Sequence, residues 1–140
     1  MSISDNLIQV KSKLPYNVEL VAVSKTKPIE DVKTAYNFGQ LHFGENKIQE
    51  LVSKYEALPK DIKWHMIGHL QTNKVKYIAP FIHLIHSVDS VKLVKEINKQ
   101  ANKNNKIINI LIQIDICNDE TKFGFSINDF ELVLNSKLFS

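Results

Sequence analysis

Arginine is absent from this chain: all 18 basic residues are lysine. No bidentate guanidinium fork is therefore available for a phosphate or carboxylate. Cysteine is nearly absent too. Cys117 stands alone, which excludes an intrachain disulfide and fits a reducing, cytoplasmic setting, with a small core residue as its ordinary role. Only four glycines occur, and no Gly-x-Gly-x-x-Gly, Walker loop or Gly-x-Ser-x-Gly elbow is built from them. No apolar run approaches the ~18 residues of a membrane span. The first six residues have neither the basic nor the apolar region of a secretory signal. The net charge of +3 is spread along the chain, so neither a nucleic-acid nor a membrane partner is expected.

What is present is an ordinary globular composition, 44% hydrophobic and 24% charged over 140 residues, which fits one domain. The chain alternates. A leading helix is expected over 4–14 with Leu7, Ile8, Val10 and Leu14 as a ragged apolar face, stopped by Pro15. Strands are expected over 19–24, 41–44, 63–68, 82–88 and 107–116. Helical patterns stand between them: Ile29, Val32, Ala35 and Tyr36 closed by Gly39; Ile48, Leu51, Val52, Tyr55 and Leu58 starting at Glu45–Asn46 and ended by Pro59; Val75, Ile78 and Ala79 ended by Pro80; and Val91, Val94, Ile97 and Ala101 capped by Ser87 or Asp89. Ser126 can cap a last helix through Phe130 and Leu134. A leading helix and five β/α units argue for a parallel sheet. Periodicity leaves two architectures open: an open doubly wound sheet that binds a phosphorylated ligand or partner, and a (β/α)8 barrel lacking its last three units.

In either, ligands gather at the carboxyl ends of the strands. The run Leu20–Val23, apolar and reading as buried on both faces, ends at Ser24 and Lys25. A lysine there, with its stem against apolar strands, is a candidate nucleophile for carbonyl carbon, although a lysine pointing into water is the ordinary case. Asn46 reads equally as an N-cap or a ligand contact, and Glu45 as a complement to a helix dipole. Gln71, Asn73 and Lys74 follow the third strand; Asp115, Asn118, Lys122 and Gly124 follow the fifth. No metal site is expected. His65 and His69 are separated by Gly68 at a strand end, and His83 and His86, three apart on a strand, are expected on opposite faces.

The segments Val21-Ala-Val-Ser-Lys-Thr-Lys-Pro28, Phe43-Gly-Glu-Asn46 and Trp64-His-Met-Ile-Gly-His-Leu-Gln-Thr-Asn-Lys74, with Lys122-Phe-Gly124 after a Leu-Ile-Gln-Ile-Asp strand, resemble the YggS/PROSC family of pyridoxal phosphate (PLP) homeostasis proteins in order and spacing. The resemblance implies a parallel α/β (β/α) barrel of the alanine-racemase type, here a single domain over 1–140 with about five of eight units and the C-terminal part of the barrel missing. It implies PLP as cofactor, held as a Schiff base on Lys25, with Asn46, His65, Gly68 and Asn73 in the cofactor pocket and Gln71 and Lys74 in the same motif. Lys27 and Lys122 are charges that could draw in the anionic cofactor. It implies no established reaction, so a non-catalytic carrier is expected, with PLP-dependent apo-enzymes as candidate partners and a monomer or weak dimer as the assembly. A racemase-like enzyme and a remnant that no longer binds PLP are the alternatives. The family's Ser-rich and Arg-x-Gly segments, which grip the phosphate, have no counterpart in this sequence.

Overall fold

Proline and glycine divide this chain as their backbone chemistry requires. The computed structural model describes residues 2–114, 126 and 128. Helix α1 (Ile3–Ser12) is capped by Ser2, whose Oγ accepts the Asp5 N–H at 3.1 Å, and it ends just ahead of Pro15. Pro28 stands at the N-cap of α2 (Ile29–Asn37), one residue before the helix rather than inside it. That helix closes with Gly39 at φ +98°, where Gly39 N–H donates to Tyr36 O (2.9 Å) and Gln40 N–H to Ala35 O (3.1 Å). This paired closure needs a residue without a Cβ penalty in the left-handed region. Helix α3 (Ile48–Ala57) ends before Pro59, and α4 (Val75–Ile78), entered through a 3-10 turn Thr72–Lys74, ends before Pro80. Helix α5 (Val91–Lys103) is capped by Ser90, whose Oγ accepts the Leu93 N–H. The expected caps are otherwise engaged: Ser87 still belongs to a strand, and Asp89 sits 3.3 Å from His69 Nδ1.

Among the described residues five parallel strands, β1 (Ala22–Val23), β2 (His42–Glu45), β3 (Lys63–Met66), β4 (Leu84–Val88) and β5 (Asn109–Ile112), lie in the order of the chain, β1-β2-β3-β4-β5. A doubly wound sheet places its first strand inside; here β1 is at an edge, which is the singly wound order of a barrel wall. The registers His42↔Lys63, Phe43↔Trp64 and Met66↔Ile85 put Phe43, Trp64, Met66 and Ile85 on the helix-covered face. Phe43 and Trp64 rings meet at 5.9 Å, and Leu51, Val75, Ile78, Leu93, Val94 and Ile97 close the core over them. The other face carries Val23, His42, Gly44, His65, Leu84, His86 and Leu111 by the alternation of the pleat.

Two strands depart from expectation. Strand one was expected to be buried on both faces, yet Val23 is 53% exposed. As an edge strand it is covered on one face, and Gln40, fully buried, ties its approach by donating from Nε2 to Leu20 O and His42 O, both at 2.7 Å. Among the described residues strand five, expected from 107, begins at Asn109 and is also at an edge, with Ile107 and Leu111 exposed. The end of that strand with Asp115 and Cys117, the loop 118–124 with Lys122 and Gly124, and Phe130 and Leu134 of the last expected helix lie outside the described residues. Among the described residues no helix is long and apolar enough to cross a membrane.

Candidate functional site

The register Ala22↔Phe43 and Val23↔Gly44, continued by the Ser24 N–H to Gly44 O bond at 3.0 Å, brings Lys25 level with Asn46 at the carboxyl ends of β1 and β2. Beneath them lies a buried polar cluster. Glu45 is fully buried and Lys54 and Ser24 nearly so. Lys54 Nζ donates to Ser24 O (2.6 Å), Glu45 Oε1 (2.6 Å) and Glu50 Oε2 (3.0 Å), which uses all three ammonium protons. Ser24 Oγ donates to the same Glu45 oxygen at 2.6 Å, while Glu45 Oε2 is buried without a hydrogen-bond partner.

The same cluster fixes the other side of Lys25. Glu50 Oε2 accepts the Thr26 N–H at 2.6 Å, and its carboxyl is held below the usual range by the Lys54 hydrogen bond first, with the Thr26 N–H adding to it. Thr26 has φ +63°, a left-handed conformation that a β-branched residue rarely adopts. The residues either side of Lys25 are thus over-determined, while Lys25 itself is exposed. The apolar packing expected around the Lys25 stem is not provided by β1, because that strand is an edge with Val23 half open.

Asn46 is not an N-cap. Glu45 is the last residue of β2, Asn46 lies in a bend, and Lys47 takes the cap position of α3 without a side-chain bond. Asn46 is left half-buried with its side chain uncommitted to the helix. Gly68 explains its own identity here: a Cβ would come within 2.4 Å of Asn46 O and 2.9 Å of Asn46 Cα. Only glycine lets the end of β3 pass this close to Asn46. Asn73 is exposed in the 3-10 turn and borders a cleft of about 430 Å³ with His69, Gln71, Asp89 and Ser90. Asn46 borders a different one, about 710 Å³, with Val52, His69, Gln71, Lys74 and Tyr77. The structure therefore brings Lys25 level with Asn46 and Asn46 against Gly68, while Asn73 borders a neighbouring cleft that shares His69 and Gln71 with that of Asn46.

His65 also stands apart from the strand-end loops. It is buried in mid-β3, with Nε2 2.9 Å from His42 Nδ1 and Nδ1 2.9 Å from His86 Nε2. His83 joins them, its ring 5.2 Å from His42 and 5.3 Å from His65. The expectation of opposite faces for His83 and His86 is overturned, since both rings reach His65. His83 lies in the bend before β4, so strand alternation does not govern it, and the β4–β5 register is irregular between Ile85 and Val88. Burial lowers the pKa of all four imidazoles, and His65, surrounded by the other three, is lowered to about 4.

Sequence reasoning missed Lys54 and Glu50 and misread Glu45. One signal was available: Lys54 stands three after Leu51 and four before Leu58, a lysine in the apolar stripe of α3. A lysine in a buried row demands a buried acid. An aldehyde cofactor needs an accessible amine with a polar neighbour held beside it, and Lys25 and Asn46 fit that need. Lys54 does not, being buried and bound to three acceptors.

The alanine racemase N-terminal domain family matches residues 1–136. A pyridoxal phosphate homeostasis protein of Aquifex aeolicus is 48% identical over 107 residues, covering 76% of this chain and 47% of that protein. One from Pasteurella multocida is 37% identical over 142 residues, covering 92% and 61%. The chain thus spans about half to three-fifths of the length of these relatives. PipY of Synechococcus elongatus, solved with PLP bound, superposes at a TM-score of 0.84 with 34% identity, covering 95% of this chain and 62% of that one. Alanine racemase from E. faecalis, at 17% identity and a TM-score of 0.73, shares the fold. With five parallel strands in barrel order beneath a lysine-bearing first strand end, the chain belongs to the alanine racemase N-terminal domain family, in its YggS/PROSC branch of pyridoxal phosphate homeostasis proteins.

Proposed function

We propose that this chain is the lysine-bearing part of a cytoplasmic PLP homeostasis protein that holds the cofactor reversibly and does not turn over a substrate. The observation that carries this reading is the braced Lys25 loop: Ser24 and Thr26 are pinned by Glu45, Lys54 and Glu50, and the exposed Lys25 stands level with Asn46. PLP supplies an aldehyde, which condenses with a primary amine. Lys25 Nζ is the atom that would take it, with loss of water. Asn46, held in place by the close pass of Gly68, would meet the ring; Asn73 is assigned a lesser part because it borders the neighbouring cleft. His65 supports the site from inside the sheet rather than touching the cofactor, both its nitrogens being taken by histidines. Without arginine, this chain has no bidentate guanidinium clamp for a phosphate, and Lys27 can offer only a point charge. Binding is therefore expected to be weak and exchangeable, as a carrier requires. The solved relative with bound PLP and the names of the homologues support the cofactor and the carrier role.

The test is a visible absorbance titration of the chain with PLP, followed by borohydride reduction and peptide mapping. A saturable band with the reduced adduct on Lys25 is expected, alongside no racemisation of added amino acids. Absence of a band, or adducts scattered over the 18 lysines, would refute the assignment.

A further inference from the structure

The histidine cluster lies on the same face of the sheet as Val23, with His65 level with Val23 and His42 two residues further from Lys25. His42 is the first residue of β2, His83 precedes β4, and His65 is the third residue of β3. From this placement we propose that His42, His65 and His83 form a binding site for a divalent transition-metal ion of the zinc class. One ring nitrogen from each lies within 4.8 Å of the other two, and the His42 Nδ1 to His65 Nε2 separation is 2.9 Å. A tetrahedral ion at about 2.0–2.1 Å from each nitrogen sets them about 3.3 Å apart, so modest ring tilts convert the cluster into a three-histidine site. The backbone under it is fixed. His42 and His65 are diagonal neighbours on paired strands, through Gly44↔His65, and His83 N–H donates to Trp64 O at 2.8 Å.

Two of the three ligands have a partner for the outer ring nitrogen, as metal-bound histidines ordinarily do. His42 Nε2 faces Glu19 Oε1 at 3.5 Å, and His65 Nδ1 faces His86 Nε2 at 2.9 Å. With the His42 proton on Nε2, the nitrogen facing the carboxylate, and His65 donating to His86, Nδ1 of His42 and Nε2 of His65 both present lone pairs inward. Without an ion those two lone pairs would oppose each other at 2.9 Å. The metal-free cluster must then reverse the His65 tautomer, each histidine donating toward Glu19. Three histidines leave a fourth position for water or an anion. Lys63 and Lys106 lie close enough to His83 to disfavour its positive charge, so they oppose a cation and favour an anionic fourth ligand.

The test is a titration of the 140-residue chain with Zn²⁺ by calorimetry and with Co²⁺ by visible absorbance, with His42→Ala, His83→Ala, His69→Ala, Glu19→Gln and Cys117→Ser variants checked for fold by circular dichroism. One ion per chain is expected. His42→Ala and His83→Ala should each weaken binding by at least about 100-fold, and Glu19→Gln by about 10-fold as the loss of an outer partner. His69→Ala and Cys117→Ser should leave it unchanged. No saturable binding, binding indifferent to His42→Ala and His83→Ala, or binding lost with His69 or Cys117 would overturn the site. Should an alanine variant unfold, nitrogen NMR of the unsubstituted chain decides: Zn²⁺ must move the ring signals of His42, His65 and His83 and spare His69, and the reverse pattern overturns the assignment.

Discussion

Replacing Lys54 by methionine tests the brace under Lys25 directly. Methionine matches the length of the lysine stem and removes only the ammonium, so the packing of α3 on the sheet is retained. What is lost is the cation that sits 2.6 Å from Glu45 Oε1 and 2.6 Å from Ser24 O. Ser24 O keeps another donor, the Lys27 N–H at 3.1 Å, so it is not orphaned. Glu45 is left as a fully buried carboxylate with only the Ser24 hydroxyl, its Oε2 already without a partner. Breaking a buried pair by removing one partner costs about 3–5 kcal/mol, a large fraction of the roughly 5–15 kcal/mol that stabilises a domain. The double variant Lys54→Met/Glu45→Gln removes both charges and keeps an oxygen for Ser24 Oγ, so it should recover all but about 1–2 kcal/mol of the loss. Urea unfolding followed through the single tryptophan, Trp64, fully buried in the core, reads both variants; the single substitution should lower the midpoint by about 2 M. A single substitution costing under about 1 kcal/mol, or a double variant no better than the single, would show that Glu45 is not held as a buried anion and that the argument from Lys54 fails.

Gly68→Ala should cost about 1–3 kcal/mol and lower the yield of PLP adduct on Lys25, because the new methyl meets Asn46 backbone at 2.4 Å; Gly39→Ala, with open space but φ +98°, should destabilise without touching the adduct. Urea unfolding and peptide mapping on both variants separate the steric cause from the conformational one. Acid should weaken the metal-free fold through His65. Its folded pKa, about 4, lies below the ordinary 6.5, so the unfolded chain takes up the proton first. The contribution is complete above pH 6.5 and is lost as pH falls from 6.5 toward 4, with a ceiling of about 3 kcal/mol. Urea midpoints measured with chelator at pH 7.5, 6 and 5 should fall, and a His65→Gln variant should flatten that slope; equal slopes would refute it.

The fold was legible because short strand-like runs alternate with helical patterns, and Pro15, Pro59, Pro80 and Gly39 fall just past the helix ends. What was not legible is what depends on neighbours across the sheet. The Leu20–Val23 run carries no mark of being an edge, since edge position follows from strand order and not from local pattern. Glu45 reads as a helix-dipole partner until its bond to Lys54, nine residues on, is seen. Histidine spacing along the sequence argues against a shared cluster, yet the contacts that matter, His42 with His65 and His65 with His86, join three different strands. Spacing rules reach along one element and say nothing of residues brought together by register.

The two lysines of the strand-end site show why identity alone would not select the reactive amine. Lys54 and Lys25 both approach Ser24, one through its ammonium and one along the chain. Lys54 has its three protons committed to Ser24 O, Glu45 and Glu50 and is sealed from solvent, so its amine cannot meet an aldehyde. Lys25 is exposed, but a lysine on a free loop would spend much of its time elsewhere. The Glu45–Lys54–Glu50 cluster removes that freedom from the residues on either side, holding Ser24 from below and the left-handed Thr26 by its N–H. An effective concentration at the amine is thereby raised without burying it. A carrier has to release as well as bind, and an exposed amine on a fixed backbone permits both, whereas an amine buried among apolar strands would favour retention. If adducts in the Lys54→Met variant spread from Lys25 to other lysines while the fold persists, the brace, and not any property of Lys25 itself, is what selects the site.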